Sequence, residues 1–423
     1  MERQSCNDEE WVMDRQLAKA VVAAFCTDEP EIARRQLEGF RERDWTRTRG
    51  WLHTSGMALY FLDRATRLGI EDVMPDALVH ELSMNLAENR GRMAGLFEEF
   101  SRLNADFQRA EISYVNLKGF SLAPEAYADP AFRYQLDLDF LVARSDLERC
   151  AQILARYGYR PRGTASPAWE FQRGIPAKVP LRDLHCGRPE WVVELHAPSE
   201  DETARGGGRL SRMKLQVWNG FEFPALSDVD KLLRQAVHIF EHLQGEWTRL
   251  AWLLEYGTAV RAHRNDDVLW GEVVAAVAGA PEIRTGVALA SLITERVFGA
   301  TFPREFREQT IDLLRPEVEL WVERYRDELV LSQHPGSKLY LLLGDVLEGR
   351  RGEWQAKRRK KLLPLHAPVR IKPKAHGGLR AALMLEFGHL HFAVRRLWFH
   401  MVQGARYKLE SARWRRFVVR AGL

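Results

Sequence analysis

The sequence predicts an α+β protein in which a short strand-rich core is embedded in a mostly helical chain. Two observations carry this. Residues 8–110, and those from Ser227 to about residue 345, read as helical, with apolar side chains at three- and four-residue steps from Glu81 to Arg109 and again after Ser227, as helices with one buried face show. Between them, residues 111–225 change to short β-rich runs separated by Gly, Pro and charged loops. The chain has 423 residues, 46% apolar and 28% charged, which fits two or three globular domains and excludes global disorder.

The elements follow in order. Apolar residues Leu82, Leu86, Met93, Leu96, Phe97, Phe100, Leu103 and Phe107 mark one face of a long helix over 81–109. The runs ISYVNL, YQLDLDFLV, WVVELHA and QVWNGFEF read as strands. SDLERCAQILARYGY reads as a helix between two of them, with Ser145 as N-cap and Gly158 just past its end. Ser227-Asp228 opens the second helical region, with Leu232, Leu233, Val237 and Phe240 on one face. KRRKK at 357–361 and PLHAPVRIKPK at 364–374 read as a linker, and the stretch from Leu379 is amphipathic and aromatic. The predicted division is 1–110 helical, 111–225 strand-rich core, 226–348 helical and 349–423 basic tail.

Charge is unevenly spread. Residues 351–423 hold 18 Lys and Arg against three acids, a net of +15, so the total of +4 leaves −11 on the first 350 residues. A basic tail points to an anionic partner: nucleic acid, a membrane surface of phospholipid headgroups, or another polyanion. The competing reading docks it on the acidic body of its own chain. No apolar run reaches the roughly 18 residues a spanning helix needs. The opening MERQSCNDEEW has no apolar segment of the secretory kind. The four scattered cysteines (Cys6, Cys26, Cys150, Cys186) read as reduced thiols of a cytoplasmic protein. Gly206-Gly207-Gly208 has no following helix signal or Lys, and reads as a loop.

The chemistry concentrates in Tyr134–Val142. Strand side chains alternate, so Asp137 and Asp139 share one face while Leu136, Leu138 and Phe140 share the other. Two adjacent carboxylates repel unless a cation lies between them, and hard divalent ions such as Mg²⁺ or Mn²⁺ take carboxylates plus substrate phosphates. A solvated strand face is the alternative. Upstream, a strand ends in Lys118-Gly119, which places a cation and an exposed backbone turn at the start of a helix, an arrangement suited to a polyphosphate. Downstream, Glu194 and His196 share a face of WVVELH, and a third carboxylate from a neighbouring strand would complete a two-metal site.

The order LKG, R-x-x-x-DLDFLV, a helix ending in GY, then VELH resembles the nucleotidyltransferases of the DNA polymerase β-like superfamily. It is most similar to the bacterial branch called the uncharacterised nucleotidyltransferase family. The flanks RDWTRTRGWLHTSGMALYFLDRA and LLRQAVHIFEHLQGEWTRLAWLLEYGTAV are similar too, so the resemblance spans about residues 40–265. It implies a small mixed sheet flanked by helices. The reaction it implies moves an NMP group from an NTP to an acceptor hydroxyl, with release of pyrophosphate. Asp137 and Asp139 would bind two metal ions. Glu194 would be the third carboxylate, orienting or deprotonating the acceptor, and Gly119, Lys118 and Ser121 would hold the triphosphate. Two departures stand out: Phe120 follows Gly119 where Ser or Gly is usual, and the third acid is Glu rather than Asp.

Other positions keep two readings. Arg133, four residues before Asp137, either neutralises a phosphate or pairs with a structural acid. His196 lines the acceptor side or bonds within the sheet. His238 and His242 share a helix face, where they contact metal, phosphate or acceptor, or simply pack. Trp247 and Trp252 read as core rather than as a base-stacking platform. Two other functions compete with the enzyme: a catalytically degenerate binding or regulatory protein on the same fold, and a nucleic-acid- or membrane-associated protein led by its tail.

Overall fold

The structure is a computed structural model, and it describes residues 13–163, 168–174, 191–198, 208–349, 352–362 and 379–423. Cys6, Cys186, Gly206, Gly207 and the 364–374 segment lie outside the described residues. The chain divides into two compact units: Met1–Ile239 with Arg249–Leu313, and Phe240–Thr248 with Leu314–Leu423.

The first unit begins with helices α1 (Arg15–Ala23), α2 (Pro30–Leu37), α3 (Glu42–Ser55), α4 (Ala58–Leu68) and α5 (Asp76–Arg109). The Asp14 side chain accepts from the backbone N–H groups of Gln16 and Leu17 and so caps α1. The long helix is five residues longer at its start than the apolar pattern predicts. Its buried face includes Asn85, Asn89 and Asn104 as well as the apolar series. Asn89 and Asn104 serve as ties. Asn89 donates to the carbonyls of Ala131 (2.6 Å) and Arg133 (3.1 Å). Asn104 accepts from Tyr114 (2.8 Å) and Asn116 (2.7 Å), and Asn116 also donates to the Pro224 carbonyl (2.8 Å). Buried polar groups satisfied in this way fix the helix against the sheet in one register.

Among the described residues the sheet has seven strands in the order β3-β4-β5-β2-β1-β7-β6. They are β1 (Tyr114–Asn116), β2 (Asp137–Val142), β3 (Arg160–Gly163), β4 (Trp169–Arg173), β5 (Trp191–His196), β6 (Lys214–Trp218) and β7 (Phe221–Ala225). The sheet is mixed: β2 runs antiparallel to β1 and parallel to β5, and β1 runs parallel to β7. QVWNGFEF, expected as one strand run, is a hairpin. Asn219 (φ 47°) and Gly220 (φ 74°) both take the left-handed region that a two-residue turn matching the strand twist requires.

One sheet face is apolar. Leu138, Phe140, Val142, Val193 and Leu195 pack against α5 and against α6 (Leu147–Arg156). Phe100 anchors this layer, with ring centroids 5.1 Å from Phe120 and 4.8 Å from Phe223. Burying such a ring contributes about 1.5–3 kcal/mol. The expected Ser145 cap is corrected: residues Arg144–Asp146 form a 3₁₀ turn and α6 starts at Leu147. Asp146 is held there by Ser113 N–H and by Arg149, which moves the helix start past Ser145. Gly158 follows the helix at φ 80°, as expected.

After the sheet come α7 (Asp228–Leu243), which runs from the first unit into the second, then α8 (Leu250–Ala262), α9 (Asp267–Gly279), α10 (Pro281–Phe298) and the short α11 (Arg304–Gln309). Ser227 caps α7, accepting from the Asp230 N–H. On α8, buried Glu255 accepts from Tyr60 of α4 (3.0 Å) and from Arg133 (3.2 Å).

In the second unit, α12 (Pro316–Val330) and α13 (Tyr340–Leu347) precede α14 (Gly352–Leu362) and α15 (Leu379–Arg420). The KRRKK segment is therefore helical, not linker. Trp354 lies against Gly344, where an added Cβ would come within 2.1 Å of its ring, and its indole N–H donates to Asp345 (2.7 Å). Asp345 also accepts from Arg358 (2.5 Å) and Tyr407 (2.7 Å), so one acid gathers two helices. Arg406 pairs with Glu328. Along α15 the side chains of Phe387, Leu390, Val394, Leu397 and Trp398 stand 57–70% exposed. Among the described residues no helix is long and apolar enough to cross a membrane.

Candidate active site

The site lies on the sheet face opposite the apolar layer. Parallel pairing puts Asp139 of β2 beside Glu194 of β5, and Asp137 beside Val192. With a side-chain period of two, Asp137, Asp139, Glu194 and His196 therefore share one face. Asp139 is buried, and Asp137, Glu194 and His196 are half-buried. Nε2 of His196 lies 3.2 Å from Oδ1 of Asp139 and 3.3 Å from Oε2 of Glu194. The Lys118 ammonium donates to the same Asp139 oxygen at 2.9 Å.

Two cations thus converge on one carboxylate. Burial alone would raise Asp139, but the His196 hydrogen bond and the Lys118 charge outweigh it and hold the carboxyl well below the usual range. Asp137 moves the other way. Burial, then the Asp139 charge, push it above the ordinary carboxylate range, and Lys118 offsets this only in part. Burial works against a proton on His196, yet the bonds to Asp139 and Glu194 prevail and raise it. One face so carries a neutral-leaning acid, a firmly ionised acid and a histidine that favours its charged form.

Asp139, Glu194 and His196 offer ligand atoms that all lie within 4.8 Å of one another, a spacing able to hold a metal ion. His238 and His242 belong to no such cluster among the described residues. His238 instead stacks edge-on to Trp252, with centroids 4.7 Å apart. Trp252 and Trp247 are half-buried rather than core: Trp252 lies edge-on to His238, and Trp247, in the connection between helices, lies edge-on to His334.

The Lys118-Gly119 turn differs from expectation. It is not an exposed turn opening a helix; Gly119–Leu122 is a single 3₁₀ turn and wholly buried. Phe120 explains this, since its ring is anchored 5.1 Å from both Phe97 and Phe100. Gly119 has φ 61°, and a Cβ there would fall 2.2 Å from the Gln135 amide. Ser121 is buried, with its hydroxyl turned back to the Lys118 carbonyl at 3.2 Å, so it is not brought to the carboxylates. Arg133 bonds Glu255 and also lines a cleft with Lys118, Lys231, Arg234, His238 and Trp252. Buried Lys231 donates to Gln216 (2.8 Å), and burial pushes its ammonium down to about 8.

Sequence reasoning missed Gln135, Lys231, Arg234 and Glu255; Gln135, Arg234 and Glu255 lie inside the segments quoted above but at positions to which no role was given. For Lys231 the only signal was a lysine on the apolar side of a helix pattern. A second cleft of about 300 Å³ opens where β2 and β5 begin, and Asp137 and Glu194 are among the residues that line it.

A mixed sheet that presents three carboxylates beside a lysine, between helical flanks, defines an α+β protein of the nucleotidyltransferase-like kind. The chain belongs to the family described as uncharacterised nucleotidyltransferase, whose profile matches residues 41–299. That match reaches through α10, past the end of the resemblance legible in the sequence. The chain also has a likeness to the crystal structure of an antigenic nucleotidyltransferase-like protein from Paracoccidioides brasiliensis. That likeness has 13% identity and covers 44% of this chain and 89% of that one, with a TM-score of 0.28. No curated protein matches the chain.

Proposed function

We propose that the protein transfers an NMP group from an NTP to an acceptor hydroxyl with release of pyrophosphate, using divalent metal held by Asp137, Asp139 and Glu194. The observation that carries this reading is the register pairing of Asp139 with Glu194, which adds a third carboxylate to the Asp137/Asp139 face. The donor set fits Mg²⁺ or Mn²⁺: it is oxygen-rich, and Asp139 and Glu194 offer ligand atoms within 4.8 Å of each other and of His196. Bound there, such ions supply positive charge to the phosphoryl oxygens and the attacking oxygen.

The chain's own groups divide the remaining work. Lys118, Arg133, Lys231 and Arg234 line a cavity of about 30 Å³, too small to enclose a triphosphate, and supply positive potential toward one bound beside the carboxylates. The acceptor oxygen bonds to the α-phosphorus, the bond from that phosphorus to the bridging oxygen breaks, and pyrophosphate leaves with the electron pair. Glu194 is placed to take the hydroxyl proton. His196, between Glu194 and Asp139, holds those two acids at a fixed separation.

A degenerate binding protein has no physical need for three clustered acids, which favours the enzyme. For the C-terminal helix we infer an anionic membrane surface as partner. From Phe387 to Leu409 it carries four basic residues and no acid, and it exposes an apolar stripe.

Titration calorimetry with the four NTPs, with and without Mg²⁺, tests the reaction reading. Mg²⁺-dependent binding in the native protein, lost in Asp139→Asn, is expected. Binding that ignores the metal, or survives the substitution, overturns it.

A further inference from the structure

A cavity of about 470 Å³ lies within the first unit, and none of its lining residues belongs to the sheet that carries the carboxylates. Its volume is that of a small-molecule site. Two helices give one side each to it. Tyr60, Asp63, Arg64 and Arg67 come from α4, and Leu254, Thr258 and Arg261 from α8. Steps of three and four residues put each set on one face of its helix.

The walls are aromatic: Phe25, Tyr60, Tyr127, Phe132 and Phe298 all line the cavity. Phe25 meets Phe298 edge-on with centroids 6.2 Å apart, and Tyr60 and Phe132 are also 6.2 Å apart. The two tyrosine hydroxyls are committed elsewhere. Tyr60 donates to Glu255 (3.0 Å) and Tyr127 to the Gly119 carbonyl. What these tyrosines offer an occupant is therefore ring surface, and flat rings suit a flat apolar body.

Most of the charge in the wall is paired. Arg64 meets Asp28 at 2.9 Å, and Arg67 pairs with Asp63. Arg261 donates to the Thr258 hydroxyl (3.2 Å) and has no ion pair among the described residues. It is half-buried, and burial holds its guanidinium below the ordinary value. Three guanidinium groups against two carboxylates leave the wall at a net +1, which falls to Arg261. A guanidinium has five N–H donors, so one bond to a hydroxyl leaves others for an anion. A carboxylate matches that fork and brings a single negative charge. A phosphate monoester brings about 1.5–2 negative charges, more than this wall balances.

We propose that this cavity is a ligand site, apart from the carboxylates, for a small monocarboxylate with a flat, ring-bearing apolar body. The carboxylate meets Arg261, and the body lies among the aromatic rings. The site goes beyond the transfer reaction and does not depend on it.

The test uses the full chain with 2-naphthoate, its neutral amide 2-naphthamide, 2-naphthyl phosphate and acetate. Calorimetry reads binding. Site-resolved mass spectrometry of iodoacetamide labelling reads Cys26, whose exposed thiol lines the cavity. The expected result is that 2-naphthoate binds and slows Cys26 labelling. The amide and the phosphate should bind at least about tenfold more weakly, the loss of one well-matched charge-assisted contact, and acetate should not bind. Arg261→Met should weaken 2-naphthoate by a similar factor, Arg261→Lys should recover part of it, and Asp139→Asn should leave it unchanged. The comparison of acid with amide on the native chain needs no variant, so it stands even if Arg261→Met does not fold. No binding of 2-naphthoate at millimolar concentration, or equal binding of the amide, overturns the proposal. So does binding that leaves Cys26 labelling unchanged or ignores Arg261→Met. Binding of the phosphate as tight as that of the acid overturns the assignment to a monocarboxylate.

Discussion

Asp139 and Glu194 stand opposite each other in the parallel pairing of β2 with β5, and His196 bonds to both. Strand register makes this pairing all-or-none. A slip of one residue would send Glu194 to the apolar face, where Val193 and Leu195 now pack. The burial of those two side chains therefore fixes where the third carboxylate stands.

The first prediction concerns Lys118. Its ammonium meets an Asp139 carboxylate that is 1% exposed. Lys118→Met removes one of the two cations on that oxygen and should cost about 3 kcal/mol in the metal-free protein. Added Mn²⁺ should recover much of the loss, because it restores positive charge at the same place. Denaturant unfolding with EDTA and with Mn²⁺ checks this; an equal loss under both conditions would refute it.

A second prediction is proton release on metal binding. In the metal-free protein Asp137 is pushed upward by burial and the Asp139 charge, and His196 is raised by its bonds to Asp139 and Glu194 against the effect of burial. Metal ligands must be deprotonated. Mn²⁺ affinity should therefore rise with pH as it passes above the ordinary carboxylate and imidazole ranges. The sign for folding is opposite for the two groups. The raised Asp137 stabilises the metal-free fold at low pH and loses that contribution as pH climbs through its folded value. The depressed Asp139 contributes above the ordinary carboxylate value and loses it as pH falls. Calorimetry of Mn²⁺ binding in buffers of different ionisation enthalpy counts the protons. A count of zero near neutrality would be decisive against this.

A third prediction addresses the turn at Gly119. Its φ of 61°, and the Gln135 amide 2.2 Å from an added Cβ, mean that Gly119→Ala strains the backbone and also displaces a buried side chain. Stability should fall by about 1–3 kcal/mol. Gln135→Ala added to it should return part of that loss by relieving the clash while keeping the φ penalty. Thermal unfolding of the single and double variants distinguishes the two sources.

The fourth prediction takes α15. If its exposed stripe meets an anionic bilayer, the full chain should co-sediment with vesicles containing phosphatidylserine and not with phosphatidylcholine alone. Binding should weaken as salt shortens the Debye length to about 3 Å at 1 M. Leu397→Glu/Trp398→Glu should abolish it. Binding that survives both changes would show that the helix is not the contact.

Much of the site was legible because two periodicities reveal it. Alternation in Tyr134–Val142 and in WVVELH puts the acids on one face whatever surrounds them, and the spacing of Leu82 to Phe107 marks α5. What alternation could not supply was pairing. Nothing local says that β5 lies beside β2, or that β3 and β4 extend the sheet beyond it. Ser145 misled because Asp146 three-dimensionally outcompetes it, bonded to Ser113 N–H and Arg149. KRRKK misled because composition reads charge as solvation, while Trp354 and Asp345 hold that segment in a helix.

The sequence by itself determined the acid-bearing strands, the long helix and the basic tail, since each depends on neighbours within a few residues. Tertiary structure decided the rest. It brought Lys118 and His196 to one oxygen of Asp139, turned Ser121 inward, paired Arg133 with Glu255, and gathered Arg92, Arg162 and Glu194 around one cleft. Those relations join residues from 3 to 122 positions apart in the chain. Most of them come from the packing of a mixed sheet against helices, which a local pattern of residues does not encode.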